Sequence, residues 1–298
     1  MDVRLMPRDP RTVLADAGLR PRRSSGQNFL VATPIARTMA RACVPDEDVG
    51  HARVLEIGAG TGALTRLLAE RAREVVAIER DRDLVPLLVR ELDGTSVRVV
   101  VADATRVDWQ SLLGEPIDRS PRVLCGNLPY AITGITLHLA VDRAACLDRA
   151  VFMVQSEVAQ RLTAQPATRS FGALTVFVQA AFGVRRLARV PPGAFYPVPA
   201  VNSAIVELVP LHPPRARETD AFRALVRAAF QNRRKTLRNA WSRLARDLSD
   251  LERAATAAGI ALGARGETLD VEAFGRMASA LGEGAGPTGR ASQPDREG

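Results

Sequence analysis

Residues 53 to 62 read RVLEIGAGTG: a strand-like apolar run, RVLEI, that breaks into glycines at 58, 60 and 62. A helical stretch, ALTRLLAERA, follows from Ala63. Glycines at such a junction let the backbone turn sharply and leave main-chain N–H groups at a helix N-terminus open to a ligand, for which a nucleotide is the natural candidate. Outward from this turn the alternation repeats. EVVAIE (74–79), VRVVVAD (97–103) and RVLCGN (122–127) are strand-like, and helical stretches such as LVPLLVREL (84–92) separate them. Strands alternating with helices predict parallel crossovers and a sheet covered on both faces, which is a doubly wound, Rossmann-like α/β domain.

The remainder of the chain fits around that domain. Residues 1–23 are expected to form a basic arm with a short helix around Arg11 to Ala17, and TPIARTMARA (33–42) has helical spacing with Pro34 in its first turn. AVFMVQSEVAQRL (150–162) reads as a strand running into a helix. FGALTVFVQAAF (171–182) and NSAIVELVP (202–210) are expected to add strand material around the proline-rich hinge VPPGAFYPVPAV (190–201). HPPRARETD (212–220) looks like a linker, so residues 24–210 form the predicted catalytic domain and 211–282 a small helical one. Residues 283–298 carry too little apolar surface to order themselves.

Composition narrows the partners. Apolar residues make up 46% of 298 and charged residues 25%, and no apolar stretch is long enough to span a bilayer. The start of the chain lacks the pattern of a secretory signal, so a cytoplasmic location is expected. Cys43, Cys125 and Cys146 share no metal-ligand spacing with His51, His138 and His212, and no metal is expected. The net charge of +8 suggests a polyanion, and position matters more than count because Lys235 is the only lysine among the basic residues. Arg227, Arg233, Arg234, Lys235, Arg238, Arg243 and Arg246 are expected to fall within one helical region, dense enough to meet several phosphates. Arg233, Arg234, Lys235 and Arg238 are the candidate contacts to that polyanion.

Three further strand ends carry chemistry. Glu79 lies 21 residues after Gly58, where an acid can accept from both ribose hydroxyls, and Asp103 ends the next strand, where an acid can accept from an adenine amino group. The fourth is GNLPY, Gly126 to Tyr130. Pro129 keeps the Leu128 carbonyl out of regular pairing, so that carbonyl and the Asn127 side-chain oxygen can both face one small planar group. Two acceptors on an adenine amino group favour a pyramidal nitrogen with an available lone pair, and Tyr130 can stack on the ring. This strand end favours S-adenosylmethionine over a dinucleotide as the nucleotide in the glycine loop.

Taken in order, GQNFL (26–30), EIGAGTG (56–62), Glu79, VADA (101–104), GNLPY, VPPGAFYPVPAVNSAIV (190–206) and AFQNRRKTLRN (229–239) resemble the ribosomal RNA adenine N6-dimethyltransferases over about residues 20–280. The small-subunit type, which dimethylates two adjacent adenines of 16S rRNA, is the nearer match. The resemblance implies that Asn28 and Leu30 close over S-adenosylmethionine, Gly58 supports it, Glu79 holds its ribose, Asp103 its adenine, and Asn127 sits between cofactor and target. Tyr130 and Phe195 would sandwich the base, with Tyr196 a rival for the second role. The partner implied is rRNA in the small subunit or its precursor, met by a monomer. Ala131 stands where the family continues with asparagine, and Ala59 where many members carry proline. Two rivals remain: a large-subunit methyltransferase conferring macrolide resistance, and an RNA-binding assembly factor without activity.

Overall fold

In the computed structural model, residues 7–22, 26–114, 120–231 and 234–283 are described. The expected tail from 284 onward, the outermost part of the arm and Arg233 lie outside them. Helices and strands follow as α1 (Pro10–Asp16), β1 (Phe29–Leu30), α2 (Thr33–Cys43), β2 (Arg53–Ile57), α3 (Ala63–Ala69), β3 (Glu74–Glu79), α4 (Val85–Glu91), β4 (Arg98–Val101), α5 (Trp109–Leu113), β5 (Arg122–Asn127) and α6 (Thr133–Asp142). Then come β6 (Arg149–Gln155), α7 (Ser156–Leu162), α8 (Ala173–Ala181), β7 (Phe182–Val190), β8 (Phe195–Tyr196), β9 (Ser203–Pro210), α9 (Asp220–Gln231), α10 (Leu237–Trp241), α11 (Leu248–Ala258) and α12 (Val271–Glu283).

One compact unit comprises residues up to Ala164 together with Ala181–Pro214. Its seven-stranded sheet has the order β4-β3-β2-β5-β6-β9-β7, with the first five strands parallel and β9 antiparallel to both its neighbours. The chain winds outward from β2 in one direction and from β5 in the other, so the topological switch lies between them, where a crevice opens at the strands' carboxyl ends. Gly126 is required there: a Cβ would collide with the Ile57 carbonyl oxygen of β2. Apolar side chains of α2 and α3 pack with β2, β5 and β6 in one core cluster.

The second unit comprises Gln165–Ala180 and the chain from Arg215. This departs from a catalytic domain running unbroken to residue 210, because 165–180 packs with the C-terminal helices. Ala167 N–H donates to Glu267 O at 2.7 Å, and the Phe177 ring meets Phe222 edge-on at 6.1 Å. The strand expected in FGALTVFVQAAF is also corrected: most of it is α8, and β7 begins only at Phe182. Every residue from Thr175 to Ala180 is buried. An apolar run buried all round has no alternation with which to distinguish strand from helix. Trp241 closes this unit's core, its Nε1–H donating to Leu225 O at 3.0 Å and its ring 6.1 Å from Phe274.

Candidate active site

A cavity of about 530 Å³ opens in the first unit at the switch point, a size suited to a small-molecule ligand. It is lined by Asn28, Leu30, Gly58, Glu79, Asp103, Asn127, Leu128, Pro129, Tyr130 and Phe195, so the sequence-predicted cofactor and target residues of this unit converge. Tyr196, the rival aromatic, is 36% exposed and is not part of the wall.

The glycine loop turns with positive φ at Gly58 (73°), Gly60 (59°) and Gly62 (83°), a backbone that side chains resist. Glu79, 8% exposed, locks it: Oε2 accepts from Gly60 N–H and Oε1 from Asp81 N–H, each at 2.8 Å. Each carboxylate oxygen keeps a further lone pair for a ligand hydroxyl. Asp103 Oδ1 accepts from the Thr105 hydroxyl at 2.6 Å and from its N–H at 2.9 Å, and Oδ2 lies 3.5 Å from Arg80. The Thr105 bonds, with help from Arg80, hold the Asp103 carboxyl below the usual carboxylate range, so it presents an ionised acceptor.

Asn127 ends β5, and its Nδ2 donates to the Asn28 carbonyl at 2.8 Å. A carbonyl can only accept, so the amide nitrogen faces Asn28 and Oδ1 is left as an acceptor. Leu128 N–H is used by Met153 O at 3.1 Å, while the Pro129 carbonyl takes Ile132 N–H and the Thr133 hydroxyl. Among the described residues nothing donates to the Leu128 carbonyl. The GQNFL segment reaches this point by pairing β1 with β8, which sets Leu30 opposite Phe195 and Phe29 opposite Tyr196. Leu30 and Phe195 therefore belong to the core as well as to the wall, and Phe195 is only 2% exposed.

Sequence reasoning missed a clasp on the cofactor side. Gln27 Nε2 donates to Asp81 at 2.8 Å, and Arg22 pairs with Asp81 at 3.3 Å and with Asp83. Asp81, two residues past Glu79, was the available signal. Glu56 was also passed over. It is 2% exposed on the cavity wall, and its Oε2 has no hydrogen-bond partner among the described residues. Burial pushes its carboxyl up to about 7, the charge of Glu79 adds to this, and Thr65 opposes it.

In the second unit, the basic residues expected on one helical region are divided among several elements. Arg227 lies on α9 and Arg238 on α10, while Arg234, Lys235, Arg243 and Arg246 lie between helices. Extended backbone at Thr236 and the Asp247 cap, which accepts from Asp250 N–H at 2.8 Å, begin new helices. Arg238 pairs with Glu252 at 2.6 Å and Arg246 with Asp250 at 3.3 Å. Arg234 and Lys235 are exposed with no ion-pair partner among the described residues. Also among the described residues, no helix is long and apolar enough to cross a membrane, and no acid, histidine and cysteine group could hold a metal.

A family model described as ribosomal RNA adenine dimethylase matches residues 18–281. The chain is 42% identical to the ribosomal RNA small subunit methyltransferase A of Anaeromyxobacter sp. (strain K), over 92% of this chain and 98% of that protein. It is 40% identical to that of Geobacter metallireducens over 89% and 96%. Among solved structures, a dimethyladenosine transferase from Plasmodium falciparum shares the fold with a TM-score of 0.68 at 22% identity, covering 84% of this chain and 95% of that one. The 23S rRNA methyltransferase ErmE gives 0.63 at 28% identity, over 86% and 100%.

Proposed function

Because the chain belongs to the ribosomal RNA adenine dimethylase family, we propose that its cleft dimethylates the N6 amino groups of two adjacent adenines near the 3′ end of 16S rRNA, using S-adenosylmethionine. The protein is an rRNA adenine dimethyltransferase. It works on the small subunit or a precursor, as a cytoplasmic monomer. Identity of 42% to a small-subunit enzyme, against 28% to ErmE, favours this reading over large-subunit methylation. An assembly factor without activity would have no use for Glu79, Asp103 and Asn127 gathered round one cavity.

The cavity suits that cofactor on its own features. Glu79 and Asp103 offer acceptors for a ribose and an adenine, and the orphaned Glu56 oxygen suits an ammonium. Asn28, Leu30, Gly58, Glu79, Asp103 and Asn127 are the residues assigned to hold it. When bound, S-adenosylmethionine supplies a methyl group activated by a positively charged sulfur.

What remains is done by the chain's own groups. Asn127 Oδ1 and the Leu128 carbonyl accept from both N–H bonds of the target amino group, which frees the nitrogen lone pair for in-line attack. Tyr130 and Phe195 hold the ring between them, with Pro129 fixing the backbone that aims the Leu128 carbonyl. The methylated amine is acidic and loses its proton to solvent, so no strong base is needed. Positioning and these two acceptors supply most of the acceleration.

The observation that carries this reading is the Asn127–Asn28 bond, which commits Oδ1 to accepting. Asn127→Ala tests it: methyl transfer should fall far more than cofactor affinity measured by calorimetry. Unchanged turnover would sink the mechanism.

A further inference from the structure

The helix α1 lies before residue 18, where the family match begins, yet it is built into the catalytic unit. Its Val13 and Leu14 are buried in one apolar cluster with Phe29, Leu84 and Leu87, and Leu19 packs against them. Arg8, just ahead of the helix, pairs with Glu91 of α4 at 3.0 Å.

Phe29 and Leu84 of this cluster line the cavity, and Val13, Leu14 and Leu87 pack with them. Phe29 lies between Asn28 and Leu30, both wall residues, and its ring rests on the glycine loop: a Cβ on Gly60 would sit 3.3 Å from two of its ring carbons. Gly60 N–H is the donor that holds Glu79 Oε2. Leu84 directly follows the loop whose Asp81 and Asp83 grip Arg22 and Gln27. Val13 and Leu14 therefore support side chains that bear on the acid assigned to the ribose and on the segment that closes over it.

We propose that α1 is a positioning element for the cofactor, with Phe29 the residue through which Leu14 holds Gly60 and Glu79 in register. The proposal rests on the reading of the cavity as an S-adenosylmethionine site. Removing the Leu14 side chain leaves space behind the Phe29 ring, the ring withdraws, and the glycine loop loses its backing. The loss falls on cofactor affinity, because the Phe29 ring bears on Gly60 of the glycine loop.

The test compares the full-length wild type with Leu14→Ala and Leu14→Met. S-adenosylmethionine affinity is measured by calorimetry, and KM for each substrate and kcat with small ribosomal subunits. Leu14→Ala should raise the cofactor Kd and KM roughly tenfold, leaving kcat at saturating cofactor and the subunit KM within about twofold. Leu14→Met, close in volume, should restore wild-type values. An unchanged cofactor Kd in Leu14→Ala overturns the proposal, as does a rise confined to the subunit KM, which would make α1 an RNA contact. Should Leu14→Ala fail to fold, Val13→Ala carries the same comparison with a smaller cavity. A wild type that does not bind S-adenosylmethionine would overturn the cofactor reading itself, and with it this proposal; that result is distinct from binding in wild type and variant alike.

Discussion

The side-chain amide of Asn127 donates to the main-chain carbonyl of Asn28 at 2.8 Å, across 99 residues of sequence. That one bond joins the GQNFL segment to GNLPY. It settles which end of the Asn127 amide can accept, and it draws the segment assigned to the cofactor against the strand end assigned to the target. The cleft's two halves are thus coupled through that polar contact.

Asn127→Asp should be worse than loss of that contact. Aspartate has only acceptors to offer, so an oxygen would face the Asn28 carbonyl. We expect kcat to fall by about 10²–10³-fold, in the range for loss of an oriented polar group, with a weakened cofactor affinity that Asn127→Ala does not share to the same degree. Single-turnover kinetics beside calorimetry separates the two effects.

Gly60→Ala should destabilise the fold as well as the site. The position has a φ of 59°, and an added methyl would press on the Phe29 ring at 3.3 Å. A cost of about 1–3 kcal/mol follows from strained backbone alone. Urea unfolding should show it, together with weakened cofactor binding.

How far the sequence could be read depended on which forces act locally. RVLEI, EVVAIE and RVLCGN are continuous apolar runs closed by turn or acidic residues, and they fold as the parallel strands they predict. The resemblance named the residues that line the cavity. FGALTVFVQAAF gave no such guidance, since burial on all sides removes the period that marks a helix. The clasp of Arg22 and Gln27 on Asp81 and Asp83, and the support of Phe29 by Val13 and Leu14, are long-range contacts with no local signature. The basic residues of the second unit looked continuous because Thr236 and Asp247, which start new helices, are unremarkable in a polar stretch.

Glu56 makes stability fall as pH rises. Its carboxyl has an ordinary value of 4.5 and is pushed up to about 7 by burial, so the folded protein binds the extra proton between those limits. Its neutral form is accommodated in full below about 4.5, and stability is lost as pH rises toward 7, by about 3 kcal/mol at most. Glu56→Gln should flatten this window and raise Tm at pH 8 more than at pH 5. Thermal unfolding of both proteins across pH 4 to 8 checks it, and parallel curves would refute the assignment.

Arg234 and Lys235 are exposed cations with no ion-pair partner among the described residues, which leaves them open to phosphates. Replacing both by alanine should raise the KM for ribosomal subunits and leave cofactor binding unchanged. The log–log dependence of RNA affinity on salt should become shallower by about 1–2. Filter binding over a salt series is the measurement.

The central claim is tested most directly by methyl transfer from labelled S-adenosylmethionine to small and large ribosomal subunits from cells lacking the small-subunit enzyme, with the labelled nucleotides mapped. The account predicts dimethylated N6 on two adjacent adenines near the 3′ end of the small-subunit RNA. Label confined to the large subunit, or tight subunit binding with no label, would contradict it.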